Sequence, residues 1–265
     1  MKTKLGIGVI TCNRQNFFSE CIASIPEADT LVVVNDGKAY DSSAYPEKIT
    51  EIIQHKHNKG VGISKNDALK FLIKNGCTHL FLCEDDIRIK NPEVFNEYIR
   101  ASEKTGLYHL NYGYHGPINK DSDGKPNPRK IIEYNDGIQI ALNRYIIGAF
   151  SYYRDKVINE VGYIDTVFKN AWEHVDHTYL IIKKGYHPPF WWFPDLASSD
   201  SYIEDLDPSL KSSVIRKRYW PFRIRIKAYS YYYIWKHGFV PGDTPDSSEE
   251  DVMDVLQKIR TSYGR

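Results

Sequence analysis

The chain has 265 residues, of which 42% are hydrophobic and 14% aromatic, so it is long enough to form one sizeable core. Its formal net charge of +1 at pH 7 provides no overall field that would favour nucleic acid or another polyanion as a partner. No apolar run reaches the roughly 18 residues that a membrane-spanning helix needs, and the N-terminal run is too short for a signal peptide. The cysteines show no metal-binding spacing, which favours reduced thiols in a cytoplasmic protein.

Strands and helices alternate through the first third of the chain. The pattern predicts, in chain order, strand LGIGVI, helix FFSECIASI, strand LVVVNDG, strand ITEIIQ, helix GISKNDALKFLIKNG and strand THLFLC. This alternation is typical of βαβ units and predicts a parallel sheet covered on both faces. Ligands bind such sheets outside the carboxyl ends of the strands. Residues 11–14, 35–37 and 84–86 follow three of these strands, so we expect them to meet in one crevice.

The second half has shorter elements. The segments LYHLNYGY, KIIEYN, IQIALN and IIGAFSYY predict antiparallel or irregular strands that would shape an acceptor pocket. We therefore expect one domain over residues 1–200, with a first half (1–90) and a second half (91–200) of different strand pattern. Residues 201–265 would form a C-terminal extension packed on this domain.

Three consecutive acids follow the fourth strand, in the stretch FLCEDDIRI. Three adjacent carboxylates repel one another, and their unpaired burial would cost several kcal/mol. Mg²⁺ or Mn²⁺ would relieve this repulsion, because these ions accept one or two carboxylates together with phosphate oxygens and water. A solvated acidic turn is the alternative, and the two neighbouring strand ends favour a metal.

Five segments in this order resemble the GT-A glycosyltransferases, most closely those of family 2. They are GVITCNRQNFFSECIASI, VVVNDG, NKGVGISKNDAL, CEDDI and AWEHVDHTYLIIKKGY. The first resembles the opening strand, turn and helix of that family, and the fourth resembles its Asp-x-Asp metal motif. The resemblance implies an α/β fold of the GT-A (Rossmann-like) type, a mixed sheet flanked by helices, with a helical, aromatic and basic C-terminal extension. It covers residues 5–186 and implies that residues 1–200 form a catalytic domain, with a nucleotide-binding half (1–90) and an acceptor half (91–200).

The same resemblance implies a nucleotide-sugar donor, usually a UDP sugar, bound with Mn²⁺ or Mg²⁺. The residues that match the donor-binding positions are Thr11, Asn13, Arg14, Asp36, Lys65, Asn66, Glu84 and Asp85. Of these, Asp36 would contact the uracil or ribose, Lys65 the base or the phosphates, and Glu84 the ribose. Asp86 is the expected metal ligand, and an alignment shifted by one residue makes it Asp85. Lys65 replaces the usual Arg and lacks its planar fork.

An inverting transfer needs a general base that deprotonates the acceptor hydroxyl. The segment WEHVDH offers Glu173, which we favour, with His174 and Asp176 as rivals. His174 stands where the family usually has its catalytic Asp. A structural role for Asp176, in pairing with neighbouring loops, is about as well supported as a catalytic one.

Residues 211–237 interleave basic and aromatic side chains and contain no acid. They could lie on an anionic membrane surface and bring the enzyme to a lipid-linked acceptor at the inner face of the membrane. Alternatively, they form helices packed on the catalytic domain, with their charges paired to the acidic IEDLD and tail segments. We expect no nucleic acid partner, since no RNA-binding motif accompanies them.

The sequence therefore predicts a metal-dependent, inverting glycosyltransferase that acts on a glycan or lipid-linked acceptor. A degenerate GT-A domain that binds a sugar nucleotide or a partner without turnover is the non-enzymatic alternative, motivated by Lys65 and His174. A nucleotidyltransferase fits less well, because GIGVITCNRQ is not a Gly-rich loop ending in a basic residue.

Overall fold

The structure is a computed structural model that describes residues 3–209 and 219–264. The strands are β1 (Leu5–Thr11), β2 (Thr30–Asn35), β3 (Glu51–Gln54), β4 (His79–Glu84), β5 (Ile87–Ile89), β6 (His109–Asn111), β7 (Lys130–Glu133), β8 (Gln139–Asn143), β9 (Phe150–Arg154), β10 (Phe193–Leu196) and β11 (Ile203–Asp205). The helices are α1 (Gln15–Ser24), α2 (Val61–Lys74), α3 (Val94–Thr105), α4 (Asp155–Val161), α5 (Glu173–Lys183), α6 (Ser199–Tyr202), α7 (Tyr219–His237) and α8 (Glu249–Tyr263).

A six-stranded sheet forms the centre of the protein, in the order β3-β2-β1-β4-β9-β6. The first four strands are parallel, whereas β9 runs antiparallel to both β4 and β6. A second, antiparallel sheet contains β10, β8 and β7. This arrangement confirms the predicted mixed α/β fold, with a mainly parallel sheet in the first half and antiparallel strands in the second.

Helix α2 packs closely on the middle of the central sheet. A Cβ atom at Gly8 of β1 would lie 2.8 Å from the Cβ atom of Ala68 in α2. This separation is closer than two carbon atoms tolerate, so the glycine lets the helix approach the strand. Both sides of β1 and β2 are buried, as expected for strands covered on both faces.

The substitution Gly8→Ala should therefore destabilise the protein. We expect the free energy of unfolding to fall by about 1 to 3 kcal/mol, because an added methyl group in a packed interior forces neighbouring atoms to shift. Gly242→Ala is the matched control, since no atom lies within 4 Å of a Cβ built there. Urea denaturation measures both variants, and equal unfolding free energies would contradict this account of the packing.

The C-terminal helices contact the rest of the chain. Val252, Leu256 and Ile259 of α8 are buried in the main core. In α7, Lys236 contacts Asp165 (Nζ to Oδ2, 2.7 Å) and also an acid of α5. Lys236 therefore pairs with acids of residues 165–176, whereas the sequence suggested the IEDLD or tail acids as partners for this segment.

Two further features concern chain organisation. Strand β11 pairs with β5, so residues beyond 200 hydrogen-bond to the first half of the chain, and the division at residue 200 stays a prediction. The basic residues 211–218 lie outside the described part of the chain. Within the part that is described, no helix is long and apolar enough to cross a bilayer.

The cysteines are free thiols, three of them buried and Cys12 half-buried.

Candidate active site

Three strands of the central sheet end side by side at one edge. The parallel register places Thr11 of β1 opposite Asn35 of β2, and Ile10 opposite Glu84 of β4. The segments that follow these strands, 11–14, 35–37 and 84–86, therefore lie together, as the sequence predicted.

Arg14 offsets the negative charge of two of the three acids that end β4. Its Nη2 atom forms an ion pair with Asp85, and its Nη1 atom lies 2.9 Å from Asp86 Oδ2. Thr11 donates a hydrogen bond of 2.7 Å from its hydroxyl to Asp85 Oδ2. Burial raises the pKa of Asp85 to about 7 against the opposing effect of Arg14. Burial also opposes ionisation of Asp86, yet His115 and Arg14 outweigh it and hold that pKa below its usual range.

His115 and Asp205 also belong to this site, although the sequence did not suggest them. The Nε2 atom of His115 lies 3.5 Å from Asp86 Oδ1 and 3.4 Å from Asp205 Oδ1. Both Asp86 Oδ1 and His115 Nε2 are buried and make no hydrogen bond. Asp86 Oδ1 thus has His115 as an electrostatic partner but accepts no hydrogen bond, and a ligand or cation would satisfy it. The only sequence signal was the acidic segment IEDLD, which contains Asp205.

The three acids at the end of β4, Glu84, Asp85 and Asp86, are called the strand-exit acids below. They fit Mn²⁺ or Mg²⁺ in chemical type. Two carboxylates suit these ions when phosphate oxygens and water complete the shell, and Asp86 Oδ1, which accepts no hydrogen bond, could serve as one ligand. Among residues 3–209 and 219–264, no group of three or more His, Cys, Asp or Glu side chains is already arranged to hold a metal. A cation bound at Asp86 Oδ1 would have to displace His115, whose Nε2 atom lies 3.5 Å from that oxygen.

Asp36, which was predicted to contact the donor, holds a loop together in this structure. Its Oδ1 atom lies 2.7 Å from both His55 Nδ1 and the backbone nitrogen of Lys59. Its Oδ2 atom accepts hydrogen bonds of 2.8 Å from Asn58 Nδ2 and from the Gly60 nitrogen. Four contacts use the acceptor capacity of a carboxylate, so a direct bond to a base or ribose would require one of them to break. The donor contact of Asp36 stays a prediction.

Two predicted asparagines lie in different surroundings. Asn13 is exposed in the turn after β1, at a positive φ of 55° that Asn tolerates better than most residues, and its Oδ1 atom accepts a hydrogen bond from the Lys38 nitrogen. Asn66 is buried in α2. It donates to the Ile164 oxygen at 2.7 Å and accepts from the Ile164 nitrogen at 2.9 Å. Asn66 thus fixes the segment before α5, while Asn13 remains accessible to a ligand.

Lys65 links the strand-exit acids to α5. Its Nζ atom is buried 2.8 Å from Glu84 Oε1 and 3.9 Å from Glu173 Oε1, and it donates to the Gly148 oxygen at 2.8 Å. Burial alone would lower the pKa of Lys65, but Glu84 and Glu173 outweigh it and raise the pKa above its usual value. Glu84 keeps part of its side chain exposed. The predicted contact of Lys65 with the base or the phosphates stays a prediction, because the ammonium group is enclosed by protein.

Glu173 is the first residue of α5, after Trp172 in a left-handed conformation with φ of 67°. Its Oε1 atom lies 3.0 Å from His174 Nδ1, and its Oε2 atom is buried without a hydrogen-bond partner. Burial would raise the pKa of Glu173, but His174 and Lys65 outweigh it and lower the pKa to about 2. The structure thus brings Glu173 and His174 together beside Lys65 and leaves one buried oxygen of Glu173 without a hydrogen-bond partner.

Asp176, the third predicted catalytic residue, lies elsewhere. It is 0% exposed, its Oδ1 atom lies 2.6 Å from His237 Nε2, and its Oδ2 atom accepts from Lys236 Nζ at 2.8 Å. Both partners belong to α7. These contacts are those of a residue that fastens α7 to α5, and a catalytic role for Asp176 stays a prediction.

Comparisons with known proteins agree with this architecture. No protein-family model matches the chain. The chain is 23% identical over 231 residues to an uncharacterised glycosyltransferase of Acanthamoeba polyphaga mimivirus, a match that covers 80% of this chain and 85% of that protein. A mannosyltransferase from Pyrobaculum calidifontis, solved with GDP-Man and Mn²⁺, matches 99% of this chain and 70% of its own, with a TM-score of 0.54 and 12% identity. The chain therefore shares its mixed α/β fold with a glycosyltransferase and resembles another in sequence.

Proposed function

We propose that the chain is a metal-dependent, inverting glycosyltransferase of the GT-A, family 2 type. It would transfer a sugar from a nucleoside diphosphate donor, in the first instance a UDP sugar, to a hydroxyl group of a glycan or lipid-linked acceptor. The observation that carries this proposal is the position of Lys65 between Glu84, beside the strand-exit acids, and Glu173, on the later helix. The similarity to a glycosyltransferase and the fold shared with a mannosyltransferase support it.

The roles of the residues follow from the chemistry of inversion. Glu173 accepts the proton of the acceptor hydroxyl, and the resulting oxygen attacks the anomeric carbon of the donor sugar. The bond from that carbon to the diphosphate breaks on the opposite face, and its electron pair stays on the diphosphate. Lys65 keeps Glu173 ionised and in place. His174 contacts the same carboxylate, and its partly exposed side chain could meet an acceptor.

Asp86 and Asp85 would hold Mn²⁺ or Mg²⁺, with the unpartnered oxygen of Asp86 as the first ligand. The bound ion would offset the negative charge that develops on the leaving diphosphate. Until a cation binds, Arg14 balances both acids.

A thermal-shift screen tests the donor class. The melting temperature should rise with a nucleoside diphosphate and Mn²⁺, since a ligand that binds only the native state stabilises it, by about 2.7 kcal/mol at a concentration of about 100 Kd. UDP should stabilise more than GDP or CDP if the family resemblance extends to the base. GDP deserves equal testing, because the structural neighbour was solved with GDP-Man. Absence of a response to any nucleotide would contradict the proposal.

The substitution Asp86→Asn should abolish the part of this shift that depends on Mn²⁺, because the amide loses the charge that holds the ion. The measurement compares the shift produced by nucleotide with Mn²⁺ against nucleotide with EDTA, so a change in the stability of the variant itself cancels. Asp254→Asn, on the exposed side of α8, is the matched control and should keep the full shift. If the wild-type shift is the same with Mn²⁺, Mg²⁺ or EDTA, these acids do not bind a metal.

One observation favours a second candidate, a sugar-nucleotide-binding domain without turnover. The pKa of Glu173 is about 2, which makes this carboxylate a weak base. Such a domain would show the thermal shift with nucleotide but would neither transfer nor hydrolyse a donor sugar. An assay of nucleotide release from donor sugars separates the two candidates.

A further inference from the structure

Helix α7 has one face that packs on the protein. Tyr229 and Tyr233 are buried, and the rings of both contact Phe168. At the end of the helix, Lys236 and His237 contact the buried Asp176. This side of α7 is thus firmly attached to the segment 165–176 and to α5.

The opposite face of α7 carries large apolar side chains that are exposed. Trp220 is 70% exposed, Ile224 69%, Tyr231 63% and Trp235 78%. A helix turns by about 100° per residue, so these four positions fall within about 60° of one another and form a stripe along the helix axis. Buried Tyr229 and Tyr233 lie on the other side of the same helix. Single exposed apolar residues are ordinary, but a contiguous stripe marks an interaction surface.

The charged residues of α7 that flank this stripe are positive. Arg223 and Lys227 are exposed and lie on the same side of the helix as the stripe. The sequence contains no Asp or Glu from residue 208 to residue 242. A partner for this face should therefore be apolar at its centre and negatively charged around it.

We propose that this face of α7 docks on the surface of an anionic lipid bilayer, with the helix axis in the membrane plane. Trp and Tyr are the residues that favour the boundary between headgroups and acyl chains, and Ile would enter the apolar layer. Arg223 and Lys227 would lie among the lipid phosphates, whose negative charge attracts them. This proposal depends on neither the donor nor the reaction, and the experiment below fails or succeeds without any sugar transfer.

Co-sedimentation of the full chain with vesicles tests the proposal. The protein should bind vesicles of phosphatidylcholine with phosphatidylglycerol, bind vesicles of phosphatidylcholine alone at least tenfold more weakly, and dissociate at high salt because screening weakens the attraction. Binding should also move the tryptophan fluorescence to shorter wavelength. Equal binding to neutral and anionic vesicles, or binding to neither, would overturn the proposal.

Paired variants locate the surface. Ile224→Ser and Lys227→Glu should each weaken binding to anionic vesicles by about tenfold, the first by removing apolar burial and the second by reversing a charge. Ile131→Ser on β7, where the side chain is 51% exposed, and Lys258→Glu on α8 are the matched controls and should bind like the wild type. Melting curves confirm that all four variants fold.

Other occupants of this face give different results. If Ile224→Ser and Ile131→Ser bind vesicles equally, α7 is not the docking surface. If the wild-type chain self-associates in light scattering and Ile224→Ser does not, the face joins two copies of the chain, and the membrane proposal is wrong.

Discussion

Glu173→Gln should lower kcat for sugar transfer by about 10² to 10⁴-fold, the usual contribution of a general base. The amide has nearly the shape of the carboxylate but cannot accept the acceptor proton. Donor binding should change little, because Glu173 lies on α5 and not among the strand-exit acids. The measurement is kcat from nucleotide release, together with the thermal shift by nucleotide and Mn²⁺ as a separate readout of donor binding.

Glu133→Gln, at an exposed position on β7, is the matched control and should retain the full rate. His174→Ala distinguishes the rival base. If His174→Ala loses as much kcat as expected for Glu173→Gln while Glu173→Gln retains the wild-type rate, His174 is the base and our assignment is wrong.

Lys65→Met should produce the largest loss of stability among the site variants. It removes a buried ammonium and leaves Glu84 and Glu173 without their shared cation. Loss of one partner from a buried ion pair typically costs about 3 to 5 kcal/mol, and the partial exposure of Glu84 places the expected value near the lower end. Urea denaturation should show this loss, whereas Lys70→Met, on the exposed side of the same helix, should change the free energy of unfolding by less than about 1 kcal/mol.

Lys65→Met should also change the dependence of stability on pH. The pKa of Glu173 falls from its ordinary value of 4.5 to about 2 in the folded wild type, so its contribution to stability is fully present above pH 4.5 and is lost as pH falls towards 2. Without Lys65 the folded pKa rises and this contribution shrinks. The unfolding free energy of the wild type should therefore fall more steeply between pH 4.5 and pH 3 than that of the variant. Parallel pH profiles would mean that Lys65 does not act on Glu173.

The edge of the central sheet could be predicted from sequence because its residues are local in the chain. Apolar runs of strand length predicted β1, β2 and β4, and the polar residues that follow them had to meet where parallel strands end. The same reasoning could not choose between Asp85 and Asp86. The surroundings of these two carboxylates differ because His115, which comes from a distant loop, lies beside Asp86 Oδ1.

The roles within α5 were harder to predict. Spacing along a helix suggested that Glu173 and Asp176 could share a face. Other elements pack around α5 on several sides. A small difference in the direction of the two side chains therefore brings Glu173 to Lys65 and Asp176 to α7. Helical periodicity states which residues are neighbours, but only tertiary contacts decide which element each one meets.

The attachment of Asp176 to Lys236 and His237 has a consequence for the choice of acceptor. Asp176 follows Glu173 by less than one turn of α5, so the helix that carries the proposed base is joined directly to α7. If α7 rests on a bilayer, the height of Glu173 above the lipid surface is set by the protein. Only hydroxyl groups presented at that height would be glycosylated, and the number of sugars already present on a lipid would then decide whether it is extended.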